Sequence, residues 1–153
     1  MRSPPHRGNI LGPKYNAVGI GVFRKGDVFW VTEDFAHRLQ EYSVVEAENA
    51  IIAGWQRERQ RANLPAARVV RIPQLRSMAC AMAQQGRLDS NAPLRLPDVQ
   101  AAVVFTESDP AKLSPSAAKM ARDTGITRIG VGACFAASEQ YPAGVWWVAM
   151  AFL

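Results

Sequence analysis

The chain contains one stretch of sequence twice. The first copy reads SPPHRGNILGPKYNAVGIGV over residues 3–22 and continues as VFWVTEDF over residues 28–35. The second copy reads SPSAAKMARDTGITRIGVGA over residues 114–133 and continues as VWWVAMAF over residues 145–152. Both begin with Ser-Pro, carry a Gly-x-Gly pair inside an apolar segment, and end with an aromatic segment that closes on Phe. We therefore expect one supersecondary unit used twice.

Each copy has the pattern of a helix followed by two strands. Ser3 and Ser114 are good N-cap residues, and the proline after each suits the first helical turn. The apolar segments 17–23 and 129–135 predict strands whose glycines leave room for a close neighbour. Lys25-Gly26-Asp27 predicts a turn into an antiparallel strand over 28–35, and residues 145–152 return similarly after a longer loop. The glycine pairs lie inside strands, so neither predicts a phosphate-binding loop.

The segment between the copies predicts the rest of a domain. Ser43-Val44-Val45-Glu46 is a capping box that opens a helix, and the basic end of that helix, residues 57–61, is expected in solvent. A second helix starts at Pro73 and ends at Gly86, after an extended segment over residues 64–71. Its expected inner face comprises Leu75, Met78, Ala79 and Met82. A buried strand over residues 99–105 and a third helix from Ser114 to Gly125 complete the pattern.

The order of elements predicts two domains. Residues 43–153 read helix, helix, strand, helix, strand, strand, a complete small α+β domain with three strands. Residues 1–42 hold only the last helix and two strands of that plan, so we interpret them as the end of a preceding domain and Met1 as internal to a longer protein. A hairpin with one short helix buries little apolar surface. Its open edges favour docking on the second domain or self-association.

Composition limits the classes of function. The chain has 153 residues, 48% apolar content and a net charge of +5. No basic run with interleaved aromatic residues appears, so the pattern is not typical of nucleic-acid binding. No apolar run reaches the roughly 18 residues of a membrane span. Residues 1–5 lack the apolar core of a secretory signal.

Few residues are candidates for chemistry. Cys80 on a predicted helix and Cys134 on a predicted strand either form a disulfide in an exported protein or are two buried small side chains. No Cys and His spacing matches a metal site, and His37 is interpreted as a surface residue. Glu33 and Asp34 are neighbours on a strand and point to opposite faces, so they cannot share a site. We interpret the two Ser-Pro serines as helix caps, not nucleophiles. The tryptophans of the aromatic strands are expected in the core, with adjacent rings on opposite faces; they are Trp30, Trp146 and Trp147.

The stretch SPPHRGNIL, followed by VGIGV and FWVTEDF, resembles the C-terminal part of the CAP superfamily in its bacterial form. That family includes cysteine-rich secretory proteins, antigen 5, plant pathogenesis-related proteins and bacterial SCP-like proteins. The bacterial pattern is close to S-P-x-H-R-x-N-I-L, then V-G-[IV]-G-V, then an aromatic strand ending in Phe. Residues 43–153 resemble the family more loosely, through residues 57–65 and the Ala/Met-rich helix. The resemblance implies an α-β-α sandwich with a three-stranded antiparallel sheet.

The resemblance also implies a cavity lined by two histidines and two acidic residues, which hold a divalent metal in some members. His6 matches the second of these histidines. The other three residues normally precede it and have no match here, since residues 76–113 contain no histidine and Glu107 and Asp109 sit in no matching motif. Glu48-Asn49 resembles a family Gly-Glu-Asn signature but lies on the wrong helix. The second copy has Ala117-Ala118 in place of His6-Arg7.

Three functions remain open at this point. The favoured one is a non-catalytic extracellular or envelope-associated binding or structural module, a location that only the resemblance supplies. Residues 43–153 are then a degenerate CAP-like domain without a cofactor. The first alternative is a metal-dependent hydrolase centred on His6 in an intact parent, with zinc held only if the missing ligands come from elsewhere. The second is a module that carries a lipid or sterol.

Overall fold

The computed structural model describes residues 4–12, 15–36 and 41–153, which form a mixed α+β protein with two sheets. Its contacts divide into two compact units, residues 1–40 and residues 41–153. The first unit holds α1 (Pro4–Ile10), β1 (Ala17–Lys25) and β2 (Val28–Ala36). The second holds α2 (Val44–Arg61), β3 (Arg68–Val69), α3 (Pro73–Gln85), a 3-10 turn (Pro93–Arg95), β4 (Ala101–Glu107), α4 (Pro115–Met120), β5 (Arg128–Ala136) and β6 (Val145–Phe152).

In the first unit, β1 and β2 form the antiparallel hairpin that the sequence predicts. The loop is Gly26-Asp27, and Gly26 has a φ of +62°, as in hairpin turns with glycine at the first central position. Apolar side chains are exposed on both faces of this hairpin. Trp30 is 64% exposed, so its expected place in a core is wrong. The reason is that two strands alone cannot surround their own side chains.

The second unit has a four-stranded sheet in the order β3-β5-β6-β4. β4 and β5 both pair antiparallel with β6, and β3 pairs parallel with β5. The expectation of a three-stranded antiparallel sheet is therefore wrong, because the short strand β3 adds a fourth, parallel strand. The Arg68 amide donates to the Thr127 carbonyl at 2.9 Å, and the Val70 amide donates to the Ile129 carbonyl at 2.8 Å. The backbone groups on the outer edge of β5 need partners, and part of the extended segment 64–71 supplies them.

Helix ends follow local signals, with one exception. The Ser43 hydroxyl accepts from the Glu46 amide and the Glu46 carboxylate accepts from the Ser43 amide at 2.8 Å, which confirms the capping box. α3 starts at Pro73 and is closed by Gly86 in the left-handed conformation. α4 ends at Met120, so the expected end at Gly125 is wrong. There the Asp123 side chain accepts from the Gly125 amide at 2.8 Å, a local bond that competes with helix.

Helices cover both faces of this sheet, and β6 separates two apolar cores. Its residues Trp146, Val148, Met150 and Phe152 lie in one core with Ile51 and Trp55 of α2 and Ala117 of α4. Its other residues, Val145, Trp147, Ala149 and Ala151, lie in a second core with Leu75, Ala79 and Met82 of α3. Trp146 and Trp147 thus face opposite layers, as predicted. All eight residues of β6 are buried, so it is the central strand of the unit.

The basic end of α2 is only partly in solvent. Arg59, expected to be exposed with its neighbours, is 2% exposed. Its guanidinium donates to the carbonyls of Pro65 at 2.8 Å and Asp123 at 2.9 Å, and it lies over the Trp55 ring at 5.2 Å. Arg59 was expected in solvent because it is charged. Its guanidinium is buried instead because backbone carbonyls of two loops accept its hydrogen bonds, and the sequence pattern of α2 does not show these partners. Arg59 fastens the end of α2 to the segment after α4.

Candidate functional site

The place that corresponds to His6 in the second copy is filled by the core. The Ser114 hydroxyl accepts from the Ala117 amide at 3.2 Å and fixes the first turn of α4, as predicted for a helix cap. Ala117 faces inward and is 0% exposed. It belongs to the core that holds α2 and β6. The second copy therefore has packed apolar atoms where the resemblance implies a cavity histidine in the first.

Several residues singled out in the sequence lie outside the part that the structure describes. Ser3 and His37 are among them. The backbone of His6 lies within α1, but its side chain is outside the described set. The expected cap at Ser3, the surface place of His37 and the cavity role of His6 thus stay predictions.

The acidic candidates do not converge. Glu33 and Asp34 pair with successive residues of β1 and so lie on opposite faces of the first hairpin, as predicted. Glu107 accepts from the Ser108 amide at 3.0 Å, and Asp109 accepts from the Ala111 amide at 3.0 Å, so both shape the loop after β4. Within residues 4–12, 15–36 and 41–153, no group of three His, Cys, Asp or Glu side chains is placed to hold a metal ion.

Cys80 and Cys134 form a disulfide. Their sulfur atoms are 2.11 Å apart and their Cα atoms 5.1 Å apart. Cys80 lies on α3 and Cys134 on β5, so the bond crosses the interface between the helix and the sheet. The sequence allowed either this disulfide or two buried free thiols. In the structure the two cysteines form the disulfide.

The most developed polar constellation lies at the outer edge of β5. Glu48 of α2 accepts two hydrogen bonds from Arg76 of α3, from Nε at 2.9 Å and from Nη2 at 2.6 Å. The same carboxylate accepts from the Ala133 amide of β5 at 3.2 Å. The hydrogen bond to Glu48 raises the pKa of the Arg76 guanidinium above its ordinary value. One ion pair thus joins the helix layers of both faces around the edge of the sheet.

This ion pair takes the place of a neighbouring strand. β3 pairs with β5 through Arg68 and Val69, and its last hydrogen bond to β5 comes from the Val70 amide, whereas β5 continues to Ala136. Beyond the end of β3, the Glu48 carboxylate accepts an edge amide that would otherwise lack a β-sheet partner. Exposed sheet edges invite pairing with other chains, and an inward-pointing charge is one way to block them. Glu48 therefore stabilises the fold and protects this edge.

A cleft of about 450 Å³ lies beside the ion pair, between α2 and the segment that joins β3 to α3. Its walls are mainly aliphatic, and Glu48, Asn49, Arg71, Arg76 and Ser77 supply the polar groups. The aliphatic lining comprises Val45, Ile52, Val69, Val70, Ile72 and Val131. Val45 is 50% exposed and Val69 is 49% exposed, so the cleft opens to solvent. An apolar hollow with a few polar groups is a common form of ligand site.

In the sequence, Glu48-Asn49 stands out only through its resemblance to a family signature that belongs on another helix. Glu48 follows buried Ala47 on α2. Only the orientation of the helix against the sheet brings its side chain to the edge of β5. Its partner Arg76 is 28 residues away and lies on the opposite face of the sheet. The place of Glu48 next to the core residue Ala47 was the one available signal.

Comparison with known proteins leaves the chain without a match: no family model, curated protein or solved structure matches it. In the part of the chain that the structure describes, no helix has both the length and the apolar character needed to cross a membrane.

Proposed function

We propose that residues 41–153 form a degenerate CAP-like domain that serves as a non-catalytic binding or structural module outside the cell or in a bacterial envelope. Helices on both faces of the sheet support the α-β-α plan that the resemblance implies. The cleft beside Glu48 and Arg76 offers a place for a ligand. Residues 1–40 supply the last helix and hairpin of a related unit.

One observation carries the non-catalytic part of this proposal. Ala117 occupies the place of His6 in the repeat and is completely buried among apolar side chains. An imidazole there would have to displace packed core atoms, since protein interiors are as dense as organic crystals. The second unit has therefore exchanged a cavity residue for a core residue.

The disulfide supports the proposed location. Disulfides persist in oxidising compartments and are rare in reducing ones. Cys80 and Cys134 are bonded to each other, and no cysteine is left free.

Zinc titration of the full chain by calorimetry tests the proposal. We expect no stoichiometric zinc binding that depends on His6, because zinc sites need at least three protein ligands. His6→Ala is the test variant, and His37→Ala is the matched control for the other histidine. One zinc ion bound per chain, lost in His6→Ala and kept in His37→Ala, would favour the metal-dependent hydrolase instead.

The aliphatic walls of the cleft favour one second candidate, a module that carries a lipid or sterol. Solvent extraction of the purified chain followed by mass spectrometry checks it. Val69→Asp places a charge in the cleft at a half-exposed side chain, so it should remove a bound lipid without unfolding the domain. An extract free of lipid, or lipid retained equally by Val69→Asp, speaks against this candidate.

A further inference from the structure

The two hairpins have the same register, which allows them to be compared residue by residue. Aligning the two copies places Gly19 on Gly130 and Asp34 on Ala151. Gly19 pairs with Asp34 in the first hairpin, and Gly130 pairs with Ala151 in the second. The aromatic ends also agree, since Phe23 pairs with Trp30 where Cys134 pairs with Trp147. Each face of the first hairpin therefore has a defined counterpart in the second.

In the second hairpin, the glycine face is covered by α3 at backbone distance. A Cβ on Gly132 would lie 2.2 Å from the backbone nitrogen of Arg76 and 2.3 Å from the carbonyl carbon of Leu75. A Cβ on Gly130 would lie 2.8 Å from Ile72 Cδ1. The backbone of α3 thus leaves no room for a side chain at Gly132, and Gly130 lies in tight contact with the Ile72 side chain. The glycines thus let the first turn of α3 lie directly on the strand.

In the first hairpin, the corresponding face is open. Among the residues that the structure describes, a Cβ on Gly19 or Gly21 would meet no heavy atom within 4 Å. Phe23 and Trp30, at the other end of this face, are each 64% exposed. Their counterparts Cys134 and Trp147 pack with α3. The first hairpin thus keeps glycines and aromatic rings suited to a covering helix.

Charge indicates which way such a helix would run. Along β5, Ile72 lies over Gly130 and Cys80 is bonded to Cys134, so the start of α3 is at the Gly130 end. In the first hairpin that end carries Asp34, opposite Gly19, where the second has buried Ala151. A carboxylate is favourable beside the free amides and positive dipole of a helix N-terminus. Asp34 is placed to meet the first turn of an incoming helix.

We propose that the face formed by Gly19, Gly21, Phe23, Trp30 and Asp34 binds an amphipathic α-helix of a partner polypeptide. That helix lies along β1 with its N-terminus at Asp34. It lays the backbone and aliphatic side chains of its first turn on the glycines, a small side chain against Phe23, and aliphatic side chains against Trp30. The inner faces of α2 and α3 are already buried in the cores of the second unit, so neither they nor their equivalents in another molecule of this chain are free to serve.

The test uses the full chain, labelled with ¹⁵N, and a synthetic peptide of residues 70–88 with Cys80→Ala as the probe helix. The peptide carries the apolar face of α3, and alanine makes room for Phe23. We expect saturable shifts of the Gly19 and Gly21 amides and of the Trp30 indole. Gly21→Val should weaken binding at least about tenfold by blocking close approach, whereas Ile20→Thr on the opposite face should change it less than twofold.

A second variant tests the proposal without the risk that the substitution unfolds the hairpin. Asp34→Asn removes only an exposed charge and should weaken binding about two- to fivefold, as expected for one charge at a helix terminus. Absence of shifts on the glycine face overturns the proposal, as does binding that survives Gly21→Val. Shifts confined to the strand edges that grow with protein concentration would also overturn it, in favour of pairing between two molecules of the chain.

Discussion

At the scale of single residues, two glycines at matching positions of the repeat can have different surroundings. Gly21 and Gly132 occupy the same place in the two copies, yet only Gly132 touches the backbone of a helix. The repeated Gly-x-Gly could be read from the sequence as a place of close approach. Which of the two glycines is covered depends on distant residues.

Gly132→Ala is expected to destabilise the second unit by about 3 kcal/mol or more, because the added Cβ would overlap backbone atoms of α3. Gly21→Ala is the matched control and should change the free energy of unfolding by less than about 0.5 kcal/mol. Urea unfolding followed by tryptophan fluorescence measures both. Equal effects of the two substitutions would contradict the difference in surroundings.

Glu48 and Arg76 show which site residues the sequence hides. Each lies on a helix that the sequence predicts well, and their pairing needs the two helices to lie on opposite faces of one sheet. The sequence predicts periodicity along each helix but not the layer order, so this contact could not be foreseen. The burial of Arg59 could not be predicted either, since its partners are backbone carbonyls of two loops, one directly after α2 and one after α4.

At the scale of elements, local chemistry decided most boundaries. The capping box, the glycine that closes α3 and the alternation of β6 are short-range signals, and the structure confirms each. β3 has two residues and no periodicity of its own, so the fourth strand could not be predicted. α4 ended early because the Asp123 side chain, not the helix, binds the Gly125 amide.

The capping box at the start of α2 should make stability depend on acid. Hydrogen bonding to the Ser43 side chain, and then to its amide, lowers the pKa of Glu46 from its ordinary value of 4.5. Such a group stabilises the folded state above its unfolded pKa, and this stabilisation is lost as pH falls through the lower folded value. The stability difference between wild type and Glu46→Ala should therefore be constant from neutral pH to about pH 5 and shrink below 4.5.

Chemical denaturation across this pH range measures the difference, with Glu139→Ala in the exposed loop before β6 as a control that should follow wild type. A difference that persists undiminished far below pH 4.5 would mean that the Glu46 carboxylate does not act as an ionised cap.

The disulfide between α3 and β5 should contribute about 2–4 kcal/mol to the second unit, since it closes a loop of 54 residues in the unfolded chain. Reduction should lower the free energy of unfolding of wild type to about that of Cys80→Ala/Cys134→Ala. The double variant should not respond to reductant. Wild type that is equally stable in both redox states would contradict this contribution.

At the scale of the whole molecule, the two units differ in completeness. Every residue of both apolar cores belongs to residues 41–153, with helices on both faces of their sheet. In residues 4–12 and 15–36, the first unit repeats the hairpin and its register without comparable layers. The sequence predicts a boundary after residue 42, because the repeat can be read directly from the residues. It could not predict the exposure of Trp30, because burial of an aromatic strand depends on what covers it.

The most direct test is to compare residues 41–153 alone with the full chain by urea unfolding and amide hydrogen exchange. We predict that the shorter chain unfolds cooperatively, within about 0.5 kcal/mol of the main transition of the full chain. Amides of β5 and β6 should be protected in both chains, and those of β1 and β2 should exchange rapidly in the full chain. An unfolded 41–153 chain, or strong protection of β1 and β2, would contradict the claim that one unit is complete and that the other, in the residues the structure describes, leaves its glycine face uncovered.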